Sequence, residues 1–516
     1  MEKMKMGKLV SVIYIGSSSV KMKISQIQCG KLVEIDVLEY PVLIGHEIFL
    51  EGRMSFDSIS EIIKVLKNYE NIINEYGIKK YKVIATSVIN RAANITYVLD
   101  QIKIQNNMTV EVLEYSSEKT LTCFEVMNMI DEDYKKCNNI LIAIVSTGNI
   151  SLTLYENKKV TLVRDIPVGS IKLNDLLGGI RDKVFKYYEV LNEYLDVSVG
   201  QIIKGNKFKN VDKMILIGSR SLHITELIKC YGDNEDENGN RKRLSSLYKS
   251  IKQMPIDKLA EKYNLSNEQA DIIYSSIIIY WYLAKNINVK DIRIIKFDLW
   301  DVLSKQMLIP QSKNDYEENI RLNALTSAKS VVDRYGCDKE HYNAVINFCE
   351  CIFNTVKKTH GLNAKDFLFL QIAAIFHECG YYITSDNIIS STFSIISNTA
   401  IYGLSKHEVS IIAMVAVYAQ MDNILSESIY YMYLSEKEKI LVSKLSAILK
   451  LANSLDRSHK QKLKLLNTKL NGKTLTITLS SIMDISIENW EFQRSALFFE
   501  DVFGIKPIFK FKSLLL

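Results

Sequence analysis

The chain opens on alternating apolar and polar positions. Residues 9–38 read as three strands, "LVSVIYI", "SVKMKISQI" and "KLVEIDVL", joined by tight turns. The period then becomes helical. Ile59, Ile62, Ile63, Leu66, Ile72 and Ile73 share one face across residues 55–76, Ser55 or Asp57 can cap the start, and Gly77 ends it. "KVIATSV" (82–88) and "TVEVLEY" (109–115) follow as strands, each with helical sequence behind it. A second strand, turn, strand, turn, strand series occupies 139–165, "NILIAIVSTGNISLTLYENKKVTLVRD". "MILIGSRS" (214–221) runs a strand into another Gly/Ser turn, and a helical region near "FDLWDVL" closes this half. "GDNEDENGNRKR" (232–243) reads as a solvated loop. Around Pro310, "IPQSKNDYEEN" is polar and breaks the pattern, which predicts a domain boundary. From 317 to 460 the pattern is helical, and the last fifty residues mix alternation ("KTLTITLSS") with helix.

The recurrence at 139–165 of the opening pattern carries more weight than either turn alone, because it predicts two similar domains with a cleft between them. Two β-β-β-α units, each with a polar turn between its first two strands, resemble the plan of the actin/hexokinase/heat-shock ATPase superfamily, a ribonuclease H-like α/β fold. The resemblance implies a duplicated pair whose turns face each other and grip phosphates from both sides. The expected parts are actin-like domain I (1–130), actin-like domain II (131–312), an all-α HD-like domain (313–462) and a small α+β segment (463–516).

Composition changes this picture little. At 516 residues the chain exceeds one hydrophobic core, and 47% hydrophobic with 24% charged residues is ordinary for a globular protein. A net charge of +6 allows a basic cleft for an anion. No Lys/Arg block or aromatic-basic motif points to nucleic acid. The eight cysteines are scattered without a C-x-x-C, which suits reduced thiols in a cytoplasmic protein. The N-terminal apolar run is too short for a signal peptide, and no window is long enough for a membrane span.

Taken in order, the motifs resemble the Ppx/GppA phosphatases, the exopolyphosphatase and guanosine-pentaphosphate phosphohydrolase family, in its long form. "YIGSSSVKMKI" is similar to the family's D-I-G-S-N-S-F-R-L and "VIATSVINRAANI" to its A-T-S-A-x-R-x-A-x-N. "VLEYSSEKTL" covers its E-A-R stretch, "IVSTGNISL" its D-I-G-G-G-S-T-E-L, and "DIPVGSIKL" its P-L-G-x-x-R-L. "HYNAVINFCECIFNTVKKTHGL", "LQIAAIFHECGYYI" and "LSAILKLANSLDRSH" are similar to its HD region.

The resemblance implies phosphoanhydride hydrolysis of polyphosphate or guanosine pentaphosphate/tetraphosphate, with Mg²⁺ in an active member, and suggests a homodimer. It assigns phosphate binding to Gly16, Ser17, Ser18, Ser19 and Lys21 in the first turn, and to Ser146, Thr147, Gly148 and Asn149 in the second. It makes Glu118 the catalytic residue that positions water. A glutamate in the first turn of a helix also stabilises that N-terminus on its own account. Departures are concentrated at the acids. Tyr14 and Ile144 replace the two turn aspartates, Ser151 replaces a glutamate, and Asn90 with Arg91 one place along leaves the phosphate-clamping arginine out of register. In the helical part His341, His377 and Glu378 stand as remnants of an HD metal set. Ser391, Ala419 and Asn453 occupy other ligand positions while Asp456 remains, so no bound metal is expected there. His360, His407 and His459 read as surface or capping residues. The expected function is a binder of such anions with weak or lost hydrolysis, the alternative a non-catalytic regulator or scaffold.

Overall fold

The computed structural model describes residues 8–513 except 29, 43, 206–207, 209–210, 219–220, 231–238, 288, 290, 422–431 and 433. The chain forms two compact units, Met1–Ile320 and Arg321–Leu516.

The first unit holds two five-stranded sheets. In the first, β1 (Val10–Ile15), β2 (Ser19–Gln28), β3 (Lys31–Pro41), β4 (Lys80–Ala85) and β5 (Val110–Val112) lie in the order β3-β2-β1-β4-β5. In the second, β6 (Asn139–Val145), β7 (Ile150–Glu156), β8 (Lys159–Ile166), β9 (Lys213–Gly218) and β10 (Asp291–Ile294) lie in the order β8-β7-β6-β9-β10. Strand order and pairing sense are the same in both. The hairpins β1–β2–β3 and β6–β7–β8 are antiparallel, and β4, β5, β9 and β10 join in parallel. Tyr14 therefore sits opposite Lys21 and beside Ile84, as Ile144 sits opposite Ser151 and beside Ile217. Tyr14 and Ile144 occupy equivalent places in the two sheets.

The helix α1 (Ile44–Glu51) starts against the first turn, and α2 (Phe56–Glu75) begins where the Ser55 hydroxyl accepts from Ser58 N–H. Apolar residues of α2 and α3 (Ile95–Asn106) pack with β1, β2 and β4 into one core, and the helix Asn267–Asn286 anchors a larger one on the second sheet. Two strands are shorter than their pattern predicts. The fourth stops at Ala85, and the fifth stops at Val112 because Tyr115 opens α4 (Tyr115–Met129). The strand β10 was not foreseen, and residues 239–243 of the expected loop begin the helix Gly239–Ile251. The rest of that loop, and Ser219 and Arg220 of the third turn, lie outside the described residues.

Pro310 does not break the chain. It opens the helix Pro310–Val332, a position that tolerates its missing N–H, and the division between units falls inside that helix.

The second unit is helical, with a core drawn from Lys339–His360, Ala364–Phe376, Lys406–Tyr418 and Glu436–Ser454. A three-stranded sheet of β11 (Lys464–Asn471), β12 (Thr474–Ser481) and β13 (Lys506–Ser513) follows. The helix Ser486–Phe503 crosses between its two parallel strands. None of the described cysteines is in a disulfide, and no described helix is long and apolar enough to cross a membrane.

Candidate functional site

Both hairpin turns are seated on a helix start. In the first, Gly16 N–H donates to Ser19 O (2.9 Å), and Gly45 N–H, at the start of α1, donates to Ser17 O (2.7 Å). In the second, Ser146 N–H and its hydroxyl both reach Asn149 O (2.9 and 3.0 Å), while the N–H groups of Ser170 and Ile171 donate to Ser146 O and Thr147 O. The seat of the second turn explains Gly169. A Cβ there would lie 2.4 Å from both Gly148 N and Thr147 C, so only glycine lets the turn come this close. Among the described residues, the N–H groups of Ser17, Ser18, Thr147 and Gly148 make no hydrogen bond. They are the donors such a turn would offer an anion.

Cationic groups are arranged differently from the sequence expectation. Lys21 pairs with Glu39 (3.1 Å) and lies over the Trp300 ring (4.9 Å). Arg91, in the short helix Ile89–Arg91, reaches the second turn and donates to Asn149 Oδ1 (3.3 Å) beside Gly148. With the Asn149 amide turned, it accepts from Arg91 at 3.0 Å and donates to Gly148 O at 3.0 Å. Arg91 thus lies at the second turn. It bridges from the β4 end of the first sheet to the turn of the second.

Glu118 lies in the first turn of α4 with one oxygen on Ser87 N–H (3.0 Å) and the other on Ser87 Oγ (2.9 Å). Burial pushes its carboxyl up to about 7 even though both Ser87 hydrogen bonds pull it down. A carboxylate held there is well matched to taking a proton from water near neutrality. The raised value fixes the sign of a stability effect. The folded state holds this proton more tightly, so its contribution is complete below about pH 4.5 and lost as the pH rises through about 7. Urea unfolding of the native chain is expected to become easier across that window by at most about 3 kcal/mol. Glu118→Gln should be flat there, and an equally sloped variant would contradict the assignment.

The next residue was overlooked by motif reading. Lys119 is buried and paired with Asp165 on β8 (2.7 Å), which ties α4 to the second sheet. Ser151, paired with Asp165 across β7 and β8, is buried.

Tyr14 lies on β1 one residue before its end, next to the first turn. Its ring meets Trp300 edge-on (centroids 6.1 Å), and burial holds its phenol well above the usual tyrosine range, helped by the Glu118 and Asp298 charges. Mg²⁺ requires carboxylate or phosphate oxygens in near-octahedral array. A neutral phenol and Ile144 offer no anionic oxygen, and both oxygens of Glu118 already accept from Ser87. These residues do not fit a resident Mg²⁺.

In the helical unit His341 and His377 are buried, with Nε2 atoms 3.3 Å apart, and Glu378 Oε1 is 3.8 and 3.9 Å from them. His459 was expected to be an ordinary surface or capping residue. Instead its ring stacks on His341 (centroids 3.7 Å, planes within 1°) and its Nε2 is 3.2 Å from Glu378 Oε1. Sequence spacing carried no sign of this, because the contact joins segments more than a hundred residues apart. His407 does pair at the surface, with Glu438 (2.6 Å).

The family described as "Ppx/GppA phosphatase family" matches residues 24–299, and "Ppx/GppA phosphatase, domain III" matches residues 324–497. An exopolyphosphatase from Cytophaga hutchinsonii is similar in structure, with TM-score 0.50 and 15% identity over 58% of this chain and 98% of that one. The Aquifex aeolicus member of the Ppx/GppA family gives TM-score 0.48 and 22% identity over 58% and 97%. At such identities the likeness concerns the fold. No curated relative matches the sequence.

Proposed function

Because the chain belongs to the Ppx/GppA phosphatase family, we propose that its first unit binds inorganic polyphosphate or a guanosine pentaphosphate- or tetraphosphate-like anion between the two hairpin turns, with weak or lost hydrolysis. The observation that carries this reading is Tyr14, whose ring lies beside Glu118 where the family places a metal-binding acid. The exopolyphosphatase-type function of the family supplies the ligand class. The unbonded N–H groups of Ser17, Ser18, Thr147 and Gly148, with Arg91 across the gap, supply the means of holding phosphate oxygens. Glu118, poised near neutrality, would accept a proton from an attacking water. What is missing is anionic anchoring for Mg²⁺, and transferred phosphoryl groups depend mainly on positioning and charge stabilisation. The same reading keeps the parts 1–130, 131–312, 313–462 and 463–516, with the third HD-like in plan.

Calorimetric titration with polyphosphate of defined length, and with guanosine pentaphosphate, tests the binding arm without Mg²⁺. Arg91→Ala is expected to weaken affinity about tenfold or more, the scale of a hydrogen bond to a charged group. Lys21→Ala should weaken it less, since Lys21 already pairs with Glu39. Binding without turnover would favour the regulator form of this reading. No binding of either anion would discard the ligand class and leave a scaffold.

A further inference from the structure

We propose that α1 is a gate between the two turns: Phe49 covers the donors of the second turn, and the His46–Asp175 pair latches the gate shut when the imidazole is protonated. What passes the gate rests on the anion reading of the cleft; the latch does not.

One short helix touches both turns. At its start Gly45 N–H donates to Ser17 O of the first turn (2.7 Å). One helical turn later the Phe49 ring lies against Gly148 of the second, where a Cβ built on that glycine would stand 3.0 Å from the ring edge. Between them, His46 Nδ1 is 3.1 Å from Asp175 Oδ1 on the helix Ser170–Leu177, the helix that seats the second turn. The cover is close. Thr147 and Gly148 are buried, whereas Ser17 and Ser18 of the first turn are partly exposed. The N–H groups of Thr147 and Gly148 make no hydrogen bond among the described residues, and donors left this way in a buried place are costly. An anion that satisfied them would have to displace the ring.

The gate is held unequally on its two sides. Toward the first sheet, Glu47 accepts from Ser55 N–H, Ser55 Oγ and Ser58 Oγ (2.8, 2.8 and 2.7 Å), and Ile44 and Ile48 are buried in that sheet's core. Toward the second, the hold is an ion pair whose imidazole is 60% exposed, with the Phe49 ring and the Arg91–Asn149 contact beside it. The helix α1 therefore stays with the first sheet, and the joint that yields is the one to the second. Asp175 is the fixed half of the latch. Its side chain is 12% exposed, and its Oδ2 has no hydrogen-bond partner among the described residues. Burial pushes its carboxyl up, His46 draws it back, and Asp271 of the helix Asn267–Asn286 adds to the rise. Asp271 is itself paired with Arg181 (2.6 Å), and Glu47 is a second acid within reach of His46. A charged imidazole thus meets carboxylates on both elements, while a neutral one keeps only a hydrogen bond. Acid fastens the gate, and the hold weakens as the pH rises and the imidazole loses its proton.

Hydrogen exchange on the full chain, with no anion present, tests the latch. At about pH 6, residues 44–51 and 170–177 of His46→Gln should exchange several-fold faster than in the native chain, and at about pH 8 the two should match. Equal exchange at both pH values would overturn the latch. Stopped-flow binding of inorganic tripolyphosphate tests the gate. Phe49→Ala should associate about tenfold faster and bind more tightly, because the closed state no longer competes with the open one. His46→Gln should gain about 2–5-fold at about pH 6, the scale of an exposed ion pair. Removing a cation would otherwise slow the approach of an anion, so a faster rate marks the opening. Unchanged or slower association by Phe49→Ala would overturn the gate. Binding by none of the chains would discard the anion reading, and the exchange comparison would then decide the latch by itself.

Discussion

Replacing Tyr14 and Ile144 together by aspartate is expected to raise Mg²⁺ affinity and to increase phosphate release from polyphosphate by about 10²–10³-fold, the usual scale for one missing electrostatic contact in a transition state. The two positions are equivalent in the paired sheets, each at the penultimate residue of its central strand and next to the turn. The first substitution removes a ring that meets Trp300 and places a carboxylate beside Glu118 and Asp298. Like charges gathered there repel one another, so the variant alone should be less stable and should regain stability when Mg²⁺ is added. That recovery is the sign that the acids meet at one ion. The single variants should respond less than the double, because one carboxylate cannot complete the set. Unchanged Mg²⁺ binding in the double variant would contradict the equivalence of the two turns as ligand positions.

Gly169→Ala is expected to cost about 2–4 kcal/mol, the upper end for inserting one methyl into a packed place. Its backbone lies at φ −141° and ψ 177°, a conformation open to any residue, so the cost is steric alone. The added Cβ would meet Gly148 N and Thr147 C at 2.4 Å and Ser146 O at 2.5 Å, and backbone cannot step aside as a side chain can. Either the helix Ser170–Leu177 retreats or the second turn does. Both movements break the Ser170 and Ile171 hydrogen bonds that seat the turn, so anion affinity should fall with stability. Gly148→Ala makes the contrast. The atoms nearest its Cβ would be the Phe49 ring edge at 3.0 Å and Arg91 Nη1 at 3.5 Å, groups that can rotate away. Thermal unfolding of the two variants checks this, with Gly169→Ala several degrees below Gly148→Ala. Equal melting would mean that the turn is not held by this contact.

Much of the first unit was legible because its cue is periodic. The strands β1 to β3 and β6 to β8 alternate cleanly around small-residue turns, and that pattern alone located both halves of the candidate site. The misses have local causes. The strand β10 is four residues long, too short for periodicity to register. The polar stretch from Pro310 begins a helix after another ends at Leu308, because a proline that ends one helix can as well begin the next. The catalytic candidate Glu118 could be placed from its motif, but its support by Ser87 and its raised pKa depend on β4 stopping at Ala85. Arg91 looked displaced by one residue in the chain, yet its short helix turns it toward Asn149. His459 is the clearest limit. It sits at φ 56° after the helix Glu436–Ser454, and only folding brings it onto His341. Spacing along a sequence cannot see a contact made by tertiary packing.

The central claim is that the chain keeps an anion-binding cleft and lacks the acids that work on its contents. Phosphate release from long-chain polyphosphate with saturating Mg²⁺, compared between the native chain and Glu118→Ala, tests it most directly. The account predicts slow or absent release in both, alongside measurable polyphosphate binding. Brisk Mg²⁺-dependent release by the native chain that vanishes in Glu118→Ala would contradict it.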